Sequence, residues 1–344
     1  MARKILVAGL ALGPLAAILR WVVDAGDVPV FCVSALALIP LAWLIGEATE
    51  HAAEHTGATV GGLLNASFGN APELIIALFA IADGLPDVVR GSITGSIVSN
   101  LLLVLGFALV ATDEEDIDTP SLLSSLGLVV WAALLFLIPS VPGWHGDPDR
   151  HSLAVASIPV AVILLVFYAG ETGRNLRRHA HKPRSTEPSG WSLRTSLATL
   201  GVATAATAIV SEILVHTLEG FADTAGLSQF FVSAVIVAVV GNAAEHGGAV
   251  VVARRGKIRL ASEIAVSSAA QVALLVAPLA VLLSFVVRPP LPLAFRPVEL
   301  ATMAGAALLV GLAVRDRRGT RKEGVVLLVA YAGCVLAYWL SGNR

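Results

Sequence analysis

Residues 69–80 read GNAPELIIALFA, and residues 241–253 read GNAAEHGGAVVVA. Both place Gly-Asn-Ala-x-Glu inside an apolar segment long enough to cross a bilayer. Asn70 and Glu73 match Asn242 and Glu245 at one constant offset of 172 residues. A carboxylate in the middle of a membrane helix costs about 2.5–3.5 kcal/mol on insertion scales. A chain that carries two of them in matched surroundings is expected to use them together.

The rest of the chain reads as membrane protein. Of 344 residues, 56% are hydrophobic and 14% charged, against about 25% charged in a soluble domain. Mean hydropathy is +0.81. Ala, Val, Leu and Gly are spread over the whole length, so the chain is polytopic rather than a soluble domain with one anchor. Cys32 and Cys334 both lie in apolar segments and form neither a disulfide framework nor a metal spacing. They are expected to be small buried residues. Arg3 and Lys4 precede an apolar run that imitates a signal peptide. No clear small-residue cleavage site follows, and the run reads as a first span.

A bilayer core of about 30 Å takes about 20 apolar residues per helix. Eleven stretches qualify: 5–23, 28–46, 58–82, 87–111, 121–141, 151–171, 193–217, 227–253, 260–285, 296–314 and 323–341. The expected fold is an all-α polytopic membrane protein of about 11 transmembrane helices. It divides into an N-terminal extra helix (1–27), a first five-helix repeat (28–171), a basic connector (172–192) and a second five-helix repeat (193–344). Five spans per half make the second half enter from the opposite side. Such inverted repeats are common in secondary transporters, whose sites lie near the midplane at the repeat interface. The two motifs fall on equivalent spans, with Glu73 and Glu245 expected near their centres.

With the N-terminus inside, the segments 174–194, 254–259 and 315–322 face inward. They read RNLRRHAHKPR…R, RRGKIR and RDRRGTRK, and with Arg3 and Lys4 they hold 17 of the 23 basic residues. The positive-inside rule then puts the N-terminus in the cytoplasm and the C-terminus outside. DEEDID at Asp113–Asp118 dissents only mildly, because acids contribute little to topology. Nineteen Arg against four Lys, with much Ala and Val, hint at a GC-rich prokaryote and so at a plasma (inner) membrane.

Asn70 and Glu73, like Asn242 and Glu245, are three apart and share a helix face. Gly69 and Gly241 allow close approach or a helix break, and Pro72 frees a carbonyl one turn earlier. The helices that follow echo one another. GSITGSIVSNLLLVLG (91–106) resembles IAVSSAAQVALLVAP (264–278), pairing Ser96 with Ser268 and Ser99 with Gln271. Ser96, Ser99, Asn100, Ser268 and Gln271 either line a site or let helices pack closely. Together these groups offer carboxylates, amide oxygens, carbonyls and hydroxyls, the ligand set of a hard divalent cation such as Ca²⁺. No thiolate joins them, which disfavours a soft metal. Without a cation, two buried carboxylates do not both stay ionised cheaply, and protons take over. One pair contested by a cation and protons is the chemical core of a cation/proton antiporter. His246 follows Glu245 where the first half has Leu74. It reads either as a proton-handling group or as a packing histidine. Glu47 and Glu50 in GEATE, and Glu212 and Glu219 in SEILVHTLE, precede the two motifs at opposite ends of their helices. They are candidate cation entrances.

At this point the residues resemble a known family. GGLLNASFGNAPELIIALFA (61–80) and GNAAEHGGAVVVARRGKI (241–258) are similar to the two α-repeats of the calcium/proton exchanger family, within the cation/calcium exchanger superfamily. GEATE, GSIVSNLLLVLG and SEILV extend the likeness over residues 28–341. The resemblance implies Ca²⁺ movement driven by a proton gradient, with Glu73 and Glu245 as cation ligands beside Asn70 and Asn242. It implies polar positions at Ser96, Asn100, Ser268 and Gln271, and a mobile second and seventh span. Two features depart from the family: the connector is basic where some relatives carry an acidic helix, and position 72 is Pro where many have Thr. The alternative is a Na⁺/Ca²⁺ exchanger, or another divalent cation/proton antiporter, on the same fold. An intramembrane enzyme is disfavoured, since no HExxH pair or GxSxG nucleophile with a matching His is present. No cofactor and no nucleic acid are implied. The partners are the lipid bilayer, Ca²⁺ and protons, and a homo-oligomer is compatible with the sequence.

Overall fold

The structure, a computed structural model, describes residues 2–112, 115–179 and 190–342. Asp113 and Glu114 of the acidic run, Lys182 and Arg184 of the connector, and Arg344 lie outside the described residues. The described chain is almost wholly helical. In order it forms α1 (Ala2–Gly9), α2 (Leu12–Trp21), α3 (Asp27–Phe68) and α4 (Ala71–Ala82). Then come α5 (Pro86–Val110), α6 (Thr119–Gly143), α7 (His151–His179) and α8 (Leu193–Ala225). The last are α9 (Gln229–Gly241), α10 (Ala243–Arg254), α11 (Ile258–Val287), α12 (Pro297–Ala313) and α13 (Arg321–Ser341). A two-residue ribbon pairs Glu115–Asp116 with Arg318–Gly319.

Among the described residues, eight helical segments are long and apolar enough to cross a membrane. Counting α9 and α10, bent by 56°, as one broken span makes nine. The stretch expected as one span at 58–82 is interrupted at Gly69–Asn70, and α12 is a shorter apolar helix. The stretch 47–57 between the second and third expected spans is helical throughout. That helix is not straight, however. A Cβ on Gly61 would lie 2.5 Å from the Cβ of Ala53, while eight residues of straight helix span about 12 Å. The chain therefore doubles back between Ala53 and Gly61, and α3 is two limbs joined by a tight bend.

At the centre lies α5. Of its apolar window, 83% is buried, against at most 56% for any other candidate span. Its small residues allow this. A side chain at Gly95 would fall on the backbone of Ala234 in α9, so the two helices touch main chain to main chain. Close crossings of this kind are how helices gain contact in lipid, where no hydrophobic drive separates helix from tail. Both α5 and α11 widen by one hydrogen-bond step midway, at Ser99–Val104 and Val272–Val276. The 172-residue shift maps the first onto 271–276. Such wide turns free backbone groups and recur at functional sites. The ends are fixed by local chemistry: α13 starts on a reciprocal Thr320–Glu323 cap, and α8 stops at left-handed Gly226. Cys32 is exposed, against expectation, on a face of α3 it shares with exposed Leu36 one turn on; Cys334 is half-buried.

Candidate cation site

Both motifs sit at helix breaks with nearly the same backbone. Asn70 has φ −99° and ψ 14°, and Asn242 has φ −92° and ψ 8°. The breaks follow Gly69 and Gly241, and each ends one helix before starting the next. Glu73 and Glu245 are thereby placed in the first turns of α4 and α10, not at the centres of long helices as expected. This correction matters physically. A carboxylate at a helix N-terminus is favoured by the helix dipole by about 0.3–1 kcal/mol, which offsets part of its burial. The last-turn carbonyls of the preceding helices meet the same breaks and add oxygen. Leu74 and His246 close the new helices identically, each amide donating to the carbonyl of its motif Asn at 3.2 and 2.9 Å.

The amides then cross between halves. Asn70 Nδ2 donates to Gln271 Oε1 on α11 at 2.7 Å. Asn242 Nδ2 donates to Ser96 Oγ on α5 at 2.8 Å and to the Ala238 carbonyl at 2.9 Å. Asn100 Nδ2 reaches Ser268 Oγ at 3.2 Å and Asn242 Oδ1 at 3.3 Å. Ser268 in turn donates to Glu245. Glu73 is buried and close enough to Glu245 for the two to feel each other's charge. Ser96, Asn242, Asn100 and Ser268 thus form one chain of bonds ending on Glu245, and Asn70 with Gln271 forms a second crosslink between the halves, with Glu73 three residues beyond Asn70. Ser99 is fully buried but donates to the Ser96 carbonyl within its own helix, at 3.3 Å.

Three buried polar atoms here have no hydrogen-bond partner among the described residues: Glu73 Oε2, Asn100 Oδ1 and His246 Nε2. Unmatched buried acceptors cost about 1–3 kcal/mol each. Two oxygens in that condition, beside two carboxylates, fit a cation as cargo. Among the described residues no group of three or more His, Cys, Asp or Glu could hold a metal. The cluster therefore offers two carboxylates and otherwise neutral oxygens.

The expected entrances stand apart from this network. Glu47 pairs with Arg3 at 2.7 Å, tying α1 to α3. Glu50 and Glu219 are exposed, and Glu212 is half-buried.

A second polar cluster was not anticipated. Arg90 on α5 bonds Asp149 at 2.7 Å and Asp87 at 2.8 Å, and Arg296 bonds Asp87 at 2.9 Å. Glu299, fully buried on α12, lies beside them. Its signal was present in the sequence: a lone Glu inside an apolar span, the same feature that exposed Glu73 and Glu245.

Paired broken spans with a carboxylate at each break, crosslinked through a central helix pair, define a membrane cation exchanger. The chain belongs to the sodium/calcium exchanger protein family, whose model matches residues 27–172 and 195–340. It is 36% identical to a Ca(2+)/H(+) antiporter of Aphanothece halophytica, covering 91% of this chain and 90% of that one. It is 34% identical to the Ca(2+)/H(+) antiporter ChaA of Bacillus subtilis over 98% of both. The solved structure of native YfkE superposes with a TM-score of 0.83 at 32% identity, covering 99% of this chain and 100% of that one.

Proposed function

We propose that this chain is a secondary active antiporter that exchanges Ca²⁺ for protons by alternating access. The observation that carries the reading is the pair of breaks at Asn70 and Asn242. Each places a carboxylate, Glu73 buried and Glu245 half-buried, beside a motif amide that bonds into the other half at α11 or α5. Two carboxylates neutralise one Ca²⁺. When the cation leaves, two adjacent negative charges in a low dielectric draw in protons. Either load leaves the site near neutrality, and an empty charged site does not, so crossing is coupled to exchange. Glu73 and Glu245 are the ligands, with Asn70, Asn242, Asn100 and Ser268 as neutral oxygens. Ser96 and Gln271 hold the amides in place. His246, its Nε2 unpartnered among the described residues, is the proton-handling group of this reading.

The same reading groups the helices into eleven spans. One N-terminal span (α1 and α2) precedes two inverted five-helix repeats. The first comprises the two limbs of α3, the second limb continuing into α4, then α5, α6 and α7. The second comprises α8, α9 with α10, α11, α12 and α13. The family match to each half separately, the equal breaks and the equal wide turns support this grouping. The basic turns 254–259 and 315–322 then face the cytoplasm of a prokaryotic cell, and Glu47, Glu50, Glu212 and Glu219 flank the two approaches. Relatives carrying the Ca(2+)/H(+) antiporter name over most of the chain favour protons over sodium as the counter-ion. Reconstituted vesicles test this. Ca²⁺ uptake should follow an imposed pH gradient without Na⁺; uptake that requires a Na⁺ gradient overturns the reading.

A further inference from the structure

Glu299 has no role in the exchange site, yet its surroundings are unusual. It lies in the first turn of α12 and is 0% exposed. Neither carboxyl oxygen accepts a hydrogen bond of ordinary geometry among the described residues. The nearest cation, Nε of Arg296 at the cap just before α12, stands 3.7 Å from Oε1. The guanidinium donors are directed elsewhere. Arg90 gives Nη1 to Asp149 and Nη2 to Asp87, and Arg296 gives Nη2 to Asp87. Two arginines are thus matched by two aspartates, and Glu299 is the fifth, unmatched charge.

An ionised carboxylate deep in a protein is held by several hydrogen bonds or a close cation; alone it costs several kcal/mol. Arg90 Nε and Arg296 Nη1 are unpartnered as well, so donors exist in the cluster and the carboxyl does not use them. The helix N-terminus and the Arg296 backbone amide favour the charged form, but they do not offset full burial and a fifth charge in a cluster already balanced, so a neutral carboxylic acid fits these facts better than a carboxylate. The groups facing Glu299 are few. They are Arg296, which caps α12, Asp87 and Arg90 on α5, and Tyr338 on α13, with Asp149 from the turn between α6 and α7 behind Arg90 and Cys334 near Tyr338. Tyr338 donates to Thr302, one turn further along α12, at 2.7 Å. Phe230 of α9 covers the Arg296 guanidinium at 5.3 Å. A cavity of about 450 Å³ adjoins the cluster, lined by Asp87, Arg90, Trp144, Asp149, Phe295 and Arg296.

We propose that Glu299 is a proton-binding site separate from the Glu73–Glu245 pair, and that its proton keeps the Asp87–Arg90–Asp149–Arg296 network neutral. Protonated, Glu299 leaves both arginines to the aspartates, and the ends of α5 and α12 stay joined. Deprotonated, it competes for Arg90 and Arg296 and loosens that end. The site therefore senses pH on the face opposite the basic turns, by a group that never touches Ca²⁺.

Infrared difference spectra of the full chain test this, comparing wild type with Glu299→Gln near neutral pH. The expected result is a carbonyl stretch of a protonated carboxyl that disappears in E299Q. Equal protonated-carboxyl intensity in both proteins overturns the proposal. Melting temperature against pH gives a second readout that needs no transport. A folded state that keeps a proton the unfolded chain releases loses stability as pH rises. E299Q should match wild type at about pH 5 and exceed it at about pH 8. Equal destabilisation at both values overturns the proposal. So does an E299Q protein that cannot fold, since the amide imitates the neutral acid. Neither readout depends on which ions are exchanged, so failure here leaves the antiporter reading standing.

Discussion

Asn70 donates a hydrogen bond to Gln271 at 2.7 Å, across 201 residues of sequence. Asn242 makes the counterpart bond, to Ser96 on α5. Each motif amide is therefore fastened to the helix that follows the other motif. The two carboxylates do not belong to separate halves that happen to meet. They are held in register by bonds that run from each half into the other, with buried α5 and α11 as the fixed frame.

The pair makes a direct prediction. Glu73→Gln and Glu245→Gln each remove one of two charges needed to balance a divalent cation. Each variant should fold and lose exchange, measured as radioactive Ca²⁺ uptake into vesicles under a pH gradient. Near-normal uptake by either sinks the paired-carboxylate mechanism.

The amides make a graded one. Asn242→Ala leaves Ser96 Oγ and Asn100 Nδ2 each short of a partner in a buried site. Lost buried hydrogen bonds cost about 1–3 kcal/mol apiece. The apparent Ca²⁺ affinity should fall by roughly ten-fold or more. Asn242→Asp, which keeps the Oδ1 acceptor but replaces the Nδ2 donor with a second oxygen and adds charge, should alter the pH dependence instead. A Ca²⁺ titration of both variants across pH separates the outcomes; unchanged affinity in N242A removes Asn242 from the site.

Proton competition makes a third prediction. Ca²⁺ and protons seek the same oxygens of Glu73 and Glu245, so apparent Ca²⁺ affinity should weaken as pH falls from about 8 to about 5. Binding measured by calorimetry in detergent checks it. An affinity flat across that window means the protons bind elsewhere.

The polar residues of the site were legible because membrane sequence leaves few places for them. Asn70, Glu73, Asn242 and Glu245 stand out from apolar neighbours, and a single offset links them. Their setting was less legible. Glu73 was expected mid-helix, but Gly69 and Asn70 break the span, and a break of two residues does not interrupt hydropathy. The bend between Ala53 and Gly61 was hidden for another reason: the residues on both sides of it are helical, so the sequence between the two expected spans carries no helix-ending signal of its own. The Arg90 cluster was missed because its members come from three separate segments, and their pairing exists only after folding.

Gly95 tests the central packing. Its Cα faces the backbone of Ala234 with no room for a methyl group. Overpacking of this kind destabilises by about 1–3 kcal/mol. Gly95→Ala should lower the melting temperature in detergent and separate α5 from α9, moving Ser96 away from Asn242. Gly170→Ala, with open space around it, is the control and should leave both stability and exchange unchanged. Equal behaviour of the two variants would mean that α5 is not clamped at this crossing.

The face carrying the basic turns has its own link, and it fixes a sign. Asp118, just before α6, receives a hydrogen bond from Arg259 at the start of α11, and that guanidinium holds its carboxyl below the usual aspartate range. A carboxyl lowered in the folded state contributes stability that is present above its unfolded value of about 3.9 and is lost as pH falls through the lower folded value. The link is therefore intact across the neutral range and opens only in acid. Both partners are partly exposed, so salt should weaken it at every pH. Limited proteolysis in the 254–259 turn reads this out. Cleavage should rise in Asp118→Asn at neutral pH and low salt, and the difference from wild type should vanish at high salt. Equal cleavage of the two proteins at low salt would show that α6 and α11 are held by packing alone.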